Sequence, residues 1–201
     1  KGLPRGSIGA GTGAISGGLA GGIGSASAEV DLGSGSIRVA ALAVVNSHGS
    51  VIDPSSALPR VHDKRLRRPT REERRRVIDA IEHLSRGPVD PEQGGLNTTL
   101  VVVTTDARID ATEATRVASV AQDGLARAIH PVHSLFDGDT VFALATRSAD
   151  LGGASRAAAL SLLATLAADC VALACTDAVL SATAHPRVPA YRDLAPGVTS
   201  D

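Results

Sequence analysis

Aromatic side chains are nearly absent from this chain of 201 residues, which contains two Phe, one Tyr and no Trp. A core with so few aromatic rings must be built from Ala, Val, Leu and Ile in tight layers of small side chains. Methionine is absent as well, even at position 1, so we expect a processed chain or a piece of a longer one. The length predicts a single domain whose core needs no disulfide or metal.

An excess of charge of either sign is also lacking, since 20 basic and 21 acidic residues give a formal net charge of −1. This balance argues against a dedicated nucleic-acid binder. The two cysteines, Cys170 and Cys175, match no metal or redox spacing, and we expect buried, reduced thiols in a cytoplasmic protein. The longest apolar run, residues 157–175, contains Asp169, which favours a buried helix over a membrane span. We therefore expect no membrane partner.

Strands that alternate with helices predict an α/β layered fold. Residues 37–46 form a nearly continuous apolar run, which predicts a strand covered on both faces. The β-branched run at 98–106 predicts a second buried strand, and residues 140–146 a third. Residues 6–27 are rich in Gly, Ala and Ser, which we interpret as close backbone packing. The fragment Gly9-x-Gly11 within it resembles a dinucleotide fingerprint, but no strand precedes it.

Three helices are expected, over residues 70–85, 110–129 and 155–184. Asp110 and Glu113 have the spacing of a capping box at the start of the second helix. His185-Pro186 is expected to end the third.

Two groups of polar residues have competing interpretations. The Arg-rich stretch 60–76 could contact phosphate or an acidic partner, but interspersed acidic residues favour a solvated helix start. His130, His133, Asp137 and Asp139 have ligand types that a metal could use, but they mix ligand preferences on one irregular loop. We therefore expect no metal and no cofactor.

Asn97-Thr98-Thr99 follows a Gly-rich loop at the head of a predicted strand. A Thr hydroxyl in this place can attack the preceding carbonyl, and an N→O acyl shift followed by hydrolysis would free Thr98 as a new N-terminus. Its α-amine would have a pKa of about 7.7–8.0, which makes Thr98 a nucleophile that carries its own base. By itself the pattern is weak, because Thr pairs are ordinary at strand starts.

Five segments in order strengthen this hypothesis: GAGTGAISGG, VAALAVVNSHGSVID, GGLNTTLVVVTTDA, AQDGLARAIHPVHSLFDGDTVFALAT and PAYRDLAPG. Together they resemble the self-cleaving L-aminopeptidase/D-esterase family (DmpA-type hydrolases), whose relatives include nylon-oligomer hydrolases. The resemblance implies a four-layer αββα sandwich similar to N-terminal-nucleophile hydrolases, and a precursor cut into 1–97 and 98–201. It also implies a homo-oligomer that acts on small peptides, aminoacyl-amides or esters.

The resemblance assigns roles to individual residues. Thr98 matches the nucleophile, and Asn97 matches the residue before the cut. Asn46 matches an active-site Asn that can donate to an oxyanion. Asp137 and Asp139 match the pair that orients the nucleophile and its amine, and we expect both carboxylates to point the same way from one strand.

Two departures from the family pattern keep other functions open. Ala20 stands where the resemblance implies a Lys used in processing and catalysis, which allows an uncleaved, inactive homologue or a partner-binding subunit. The resemblance also begins partway into the family pattern, so we expect an N-terminal segment to be missing. An acyltransferase of the arginine-biosynthesis type, which also cleaves itself before a Thr, is a further alternative.

Overall fold

The structure is a computed structural model that describes residues 3–32, 35–61, 66–85, 97–152, 155–186 and 188–198. Its strands, in chain order, are β1 (Ile15–Ser16), β2 (Leu19–Ala20), β3 (Gly22–Asp31), β4 (Ser36–Asn46), β5 (Ile52–Asp53), β6 (Leu58–Pro59), β7 (Thr98–Ala107) and β8 (Thr140–Ala149). Its helices are α1 (Arg71–Ser85), α2 (Ala111–Ala128), α3 (Arg156–Ser181) and α4 (Tyr191–Leu194).

A four-stranded sheet in the order β3-β4-β7-β8 organises the fold. The pairs β3–β4 and β4–β7 are antiparallel, whereas β7 and β8 are parallel. Parallel neighbours need a crossover connection, and α2 lies between β7 and β8 in the chain. The pairs β1–β2 and β5–β6 form two small ladders beside this sheet.

One face of the sheet is closed by helices. Helix α3 packs on β3 and β4, while α2 packs on β8 and against α3. Alternate residues of β4 are buried on this helix face: Ile37, Val39, Ala41, Ala43 and Val45. Alternation of this kind follows from the two-residue period of a strand.

Glycines allow the layers to approach closely. A Cβ atom on Gly24 of β3 would overlap backbone atoms of Ala174 and Ala178 in α3, and one on Gly124 of α2 would overlap the carbonyl oxygen of Ala168. Helices that pack at backbone distance leave no room for aromatic rings between the layers. This packing explains the scarcity of aromatic residues in physical terms.

The other face of the sheet is open along β7 and β8 in the part of the chain that the structure describes. The strand register aligns Val44, Leu100 and Thr140 in one row and Leu42, Val102 and Phe142 in the next. Leu100, Phe142 and Leu144 are 44%, 54% and 60% exposed. For residues 37–46, helices cover one face, and Ala40, Leu42 and Val44 on the other face are partly buried, so the prediction of cover on both faces holds fully for one face and in part for the other.

Most predicted elements are confirmed. Asp110 and Glu113 form the expected capping box, with the Asp110 carboxylate accepting from the Glu113 N–H at 2.8 Å. Strand β3, which begins in the Gly-rich segment, was not predicted from the sequence, and its Gly24 packs against α3. Helix α3 ends at Ser181, before the His185-Pro186 stop that we expected.

The α/β class is confirmed. The described residues form a four-stranded sheet and a layer of helices that packs on it. The other sheets among the described residues are the two-stranded pairs β1–β2 and β5–β6. Helix α3 is long and apolar enough to cross a membrane, but more than half of its most apolar stretch is buried inside the fold. Cys170 and Cys175 of α3 are buried free thiols, as expected.

Candidate active site

The junction between Asn97 and Thr98 lies at the start of β7. Asn97 forms a parallel bridge with Asp137. Its N–H donates to the Phe136 carbonyl at 3.1 Å, and its own carbonyl accepts from the Gly138 N–H at 2.9 Å. The Thr98 hydroxyl donates to this same Asn97 carbonyl, with an Oγ1–O distance of 2.5 Å. Two donors therefore converge on the carbonyl that precedes Thr98.

Asn46 is the cross-strand partner of Thr98 in the β4–β7 ladder. Side chains of paired residues lie on the same face of a sheet and close together. The Asn46 Oδ1 accepts from the Ile15 N–H at 3.1 Å, which fixes the amide and leaves its NH2 group as the donor. The structure therefore brings together two of the predicted site residues on one face of the sheet.

Asp137 links the loop before β8 to the loop after β4. Its Oδ1 accepts from the His48 N–H at 3.0 Å. Its Oδ2 accepts from the Ser134 hydroxyl at 2.6 Å and from the Ser134 N–H at 3.3 Å. With these bonds the carboxylate holds both loops next to the Asn97 junction.

Asp139 has a different set of partners. Its Oδ1 accepts from the Thr99 N–H at 2.8 Å, and its Oδ2 is 2.8 Å from His133 Nδ1. The side chain is only 3% exposed. Burial, with a smaller contribution from the Asp139 charge, raises the pKa of Cys175 to about 12.

The expectation that both carboxylates lie on one strand is wrong. Asp137 and Asp139 precede β8, which begins at Thr140, and the irregular backbone there is not bound to strand alternation. Both residues nevertheless line one open cavity of about 560 Å³, together with Gly138, Thr140, His133 and Gln122.

An aromatic pair stands next to this cavity. The rings of His48 and Phe136 are tilted against each other, with centroids 5.8 Å apart. Phe136 is 54% exposed and Leu135 is fully exposed. The loop that carries Asp137 therefore also presents an apolar surface to solvent beside the Asn97 junction.

Ala20 is fully buried, in a small cluster with Ala182, Val188 and Ala190. Its N–H donates to the Pro189 carbonyl at 2.9 Å. The methyl group at this position contributes packing and no charge.

The other candidate features have structural roles. Arg67 of the Arg-rich stretch pairs with Glu73 at 2.9 Å and donates to the Gly197 carbonyl, which ties the start of α1 to the C-terminal turn. Residues 62–65 of that stretch and the loop 86–96 lie outside the described residues. In the described ranges, no three His, Cys, Asp or Glu side chains lie close enough to share a metal ion.

A model of peptidase family S58 matches residues 1–188 of this chain. The chain belongs to peptidase family S58. This confirms the resemblance to the L-aminopeptidase/D-esterase family. An uncharacterized aminopeptidase of Mycobacterium tuberculosis H37Rv is 41% identical over 204 residues, which cover 96% of this chain and 57% of that protein. The 6-aminohexanoate-oligomer endohydrolase of Paenarthrobacter ureafaciens is 30% identical over 117 residues, or 58% of this chain and 32% of that enzyme.

Solved structures show the same fold. A β-aminopeptidase from Burkholderia sp. superimposes with a TM-score of 0.66 at 23% identity, over 99% of this chain and 55% of that chain. The L-aminopeptidase D-Ala-esterase/amidase of Ochrobactrum anthropi, described as a variant of the Ntn hydrolase fold, gives 0.58 at 25% identity, over 90% and 46%. The chain thus spans about half the length of the relatives that it matches.

Three contributors to this site were not predicted from the sequence. His133 was considered only as a metal ligand, although its spacing from Asp139 suits a local side-chain contact. Gly138 contributes its backbone N–H, which residue type alone does not reveal. His48 lies two residues after Asn46, and only the tertiary structure places it against Phe136.

Proposed function

We propose that the chain belongs to a self-processing amide or ester hydrolase of the aminopeptidase type, with Thr98 as its nucleophile. The observation that supports this most directly is the contact of the Thr98 hydroxyl with the Asn97 carbonyl, beside the oriented amide of Asn46. Membership of peptidase family S58 and the aminopeptidase names of the relatives agree with it.

In the self-cleavage step, Thr98 Oγ1 attacks the Asn97 carbonyl carbon. The C–N bond to Thr98 breaks, the hydroxyl proton passes to the departing nitrogen, and an ester forms. Water then cleaves the ester, which leaves a carboxylate on Asn97 and a free amine and hydroxyl on Thr98. The Gly138 N–H donates to the carbonyl oxygen throughout, and this bond strengthens as the oxygen gains negative charge.

In the hydrolysis of substrate, the freed Thr98 amine accepts the hydroxyl proton as Oγ1 attacks the substrate carbonyl. The Asn46 NH2 group donates to the developing oxyanion. Asp137 holds the surrounding loops and Asp139 holds Thr99, so both carboxylates keep the nucleophile in place. The protonated Thr98 amine returns the hydroxyl proton to the departing amine or alcohol as the C–N or C–O bond of the substrate breaks, which leaves the acyl group as an ester on Oγ1. Water then hydrolyses this ester, which releases the carboxylate of the acyl group and restores the Thr98 hydroxyl.

The proposed substrates are small peptides, aminoacyl-amides or esters, because the relatives carry aminopeptidase and oligomer-hydrolase names. A cytoplasmic homo-oligomer is part of the same proposal.

A second candidate is an uncleaved, inactive homologue. The burial of Ala20 in an apolar cluster favours it, because no ammonium group takes the place that the family pattern gives to a Lys. This candidate predicts that Ala20→Lys restores a cut that the natural protein lacks.

Mass spectrometry of the purified protein tests both candidates. The hydrolase predicts a cut between Asn97 and Thr98, and Thr98→Ala should stay intact and lose hydrolysis of aminoacyl-amides. Thr98→Ser keeps a hydroxyl and serves as the matched control that is still cut. An intact chain whose amide hydrolysis survives Thr98→Ala would contradict the mechanism.

A further inference from the structure

His133 makes a contact that neither the family assignment nor the proposed mechanism uses. Its Nδ1 lies 2.8 Å from Asp139 Oδ2, and the imidazole is 43% exposed whereas the carboxylate is 3% exposed. A buried carboxylate oxygen without a donor is costly, so the donor that His133 supplies determines where Asp139 sits.

The backbone of His133 also has an unusual conformation. Its φ is 50°, in the left-handed region that residues with a Cβ seldom adopt. Such conformations persist where the surrounding structure enforces them, and they cluster at functional sites. His133 also lines the cavity that Asp137 and Asp139 share.

The other oxygen of Asp139 binds the Thr99 N–H. Before cleavage, the start of β7 is also held by the two Asn97 backbone bonds, to Phe136 and to Gly138. Cleavage before Thr98 separates Asn97 from the strand, so those bonds no longer restrain Thr98. The Asp139–Thr99 bond and the pairing of β7 with β4 then remain as the restraints on the new terminus.

We propose that His133 is a positioning residue, which acts through Asp139 and the Thr99 N–H to hold Thr98 in place both before and after the chain is cut. The catalytic consequence rests on the proposed function, whereas the positioning itself does not. Loss of the His133 donor should therefore slow turnover more than self-cleavage.

Two variants separate the donor from the backbone conformation. In His133→Asn the amide nitrogen can replace Nδ1 as a donor, and Asn tolerates positive φ. His133→Gly also tolerates positive φ but has no donor. Arg147→Gly is the matched control, because Arg147 is an exposed residue with φ 61° near the far end of β8.

Hydrogen exchange of the Thr99 amide in the purified protein measures positioning without any substrate. His133→Gly should speed this exchange by at least about tenfold, while His133→Asn and Arg147→Gly leave it near the natural rate. In an active enzyme, His133→Gly should lower kcat for an aminoacyl-amide by about 10- to 100-fold, since small misplacements are costly. KM should change by less than about twofold, and His133→Asn should recover most of kcat.

Unchanged Thr99 exchange in His133→Gly overturns the proposal, as does an Asn variant as impaired as the Gly variant. A protein that neither cleaves itself nor hydrolyses amides overturns the proposed function instead. Thr99 exchange still decides the positioning role in that case. Faster exchange with unchanged kcat overturns the catalytic consequence alone.

Discussion

The two faces of the central sheet are built in opposite ways. On the helix face, Gly24 and the small residues of β4 bring α3 to backbone distance, and side chains such as Val101 are fully buried. On the open face, Leu100 and Phe142 remain about half exposed. Among the described residues, apolar packing therefore stabilises the sheet mainly through its closed face.

The candidate active site lies at the start of β7, where successive residues of the strand point to opposite faces of the sheet. Thr98 shares the open face with Asn46, whereas Thr99 is fully buried on the helix side, where Asp139 holds its N–H. Strand alternation thus gives the nucleophile an open approach and gives its neighbour a rigid anchor. The comparison predicts that substitutions on the closed face affect stability and those on the open face affect it little.

The largest effect is expected for Gly24→Val on the closed face. The new side chain would overlap backbone atoms of α3, which cannot move aside without shifting the helix. We expect a loss of about 3 kcal/mol in the free energy of unfolding, or failure to fold. Urea denaturation measures it. Ser27→Val, on the exposed part of the same strand, is the control and should change stability by less than about 0.5 kcal/mol. Equal losses in the two variants would contradict the difference between the two faces.

The contact between Glu73 and Arg67, which lies outside the sheet, allows its contribution to stability to be compared with that of packing on the closed face. Backbone N–H donation from Thr70, and then the Arg67 side chain, lower the pKa of Glu73 to about 2 from an ordinary 4.5. A depressed carboxyl pKa stabilises the fold above pH 4.5, and this contribution is lost as pH falls toward 2.

Glu73→Gln should therefore cost on the order of 2 kcal/mol at pH 7 and flatten the loss of stability between pH 4.5 and 2. Urea denaturation at several pH values measures this. Glu72→Gln, at the exposed neighbouring position, is the control and should change neither quantity. An unchanged acid profile in Glu73→Gln would contradict the assignment.

Adjacent valines of β7 provide the most closely matched test of the two faces. Val101 is fully buried on the helix face, and Val102 is only partly buried on the open face. Val101→Ala should cost about 2 kcal/mol and Val102→Ala less than about 1 kcal/mol. Thermal and urea denaturation of both variants measure the difference. Similar costs would mean that both faces are covered in solution.

A small effect on stability is expected for Phe142→Ser on the open face. Its ring is about half exposed, so the substitution should cost less than about 1 kcal/mol. Binding of a hydrophobic dye should fall, because a contiguous apolar patch becomes smaller. A cost as large as that of Val101→Ala would show that another surface covers this face.

Local sequence features predicted a helix or strand correctly where the interactions that form it lie within the same segment. The Asp110–Glu113 spacing identified a real capping box, and the β-branched run identified β7. The end of α3 and the strand β3 were misjudged, because contacts between α3 and the Gly-rich segment determine them. For the site, the motifs pointed to Thr98, Asn46 and both aspartates, but their hydrogen-bond partners could not be inferred.

The sequence by itself determined the class of fold, the family and the residues of the candidate site, since these depend on residue types in a fixed order. It also accounted for a core almost free of aromatic rings. Only the tertiary structure decided which sheet face is closed, that Asp139 binds the Thr99 N–H, and that His133 supplies its second donor. Those properties depend on which distant segments come together, and a side chain acquires its partner only when they do.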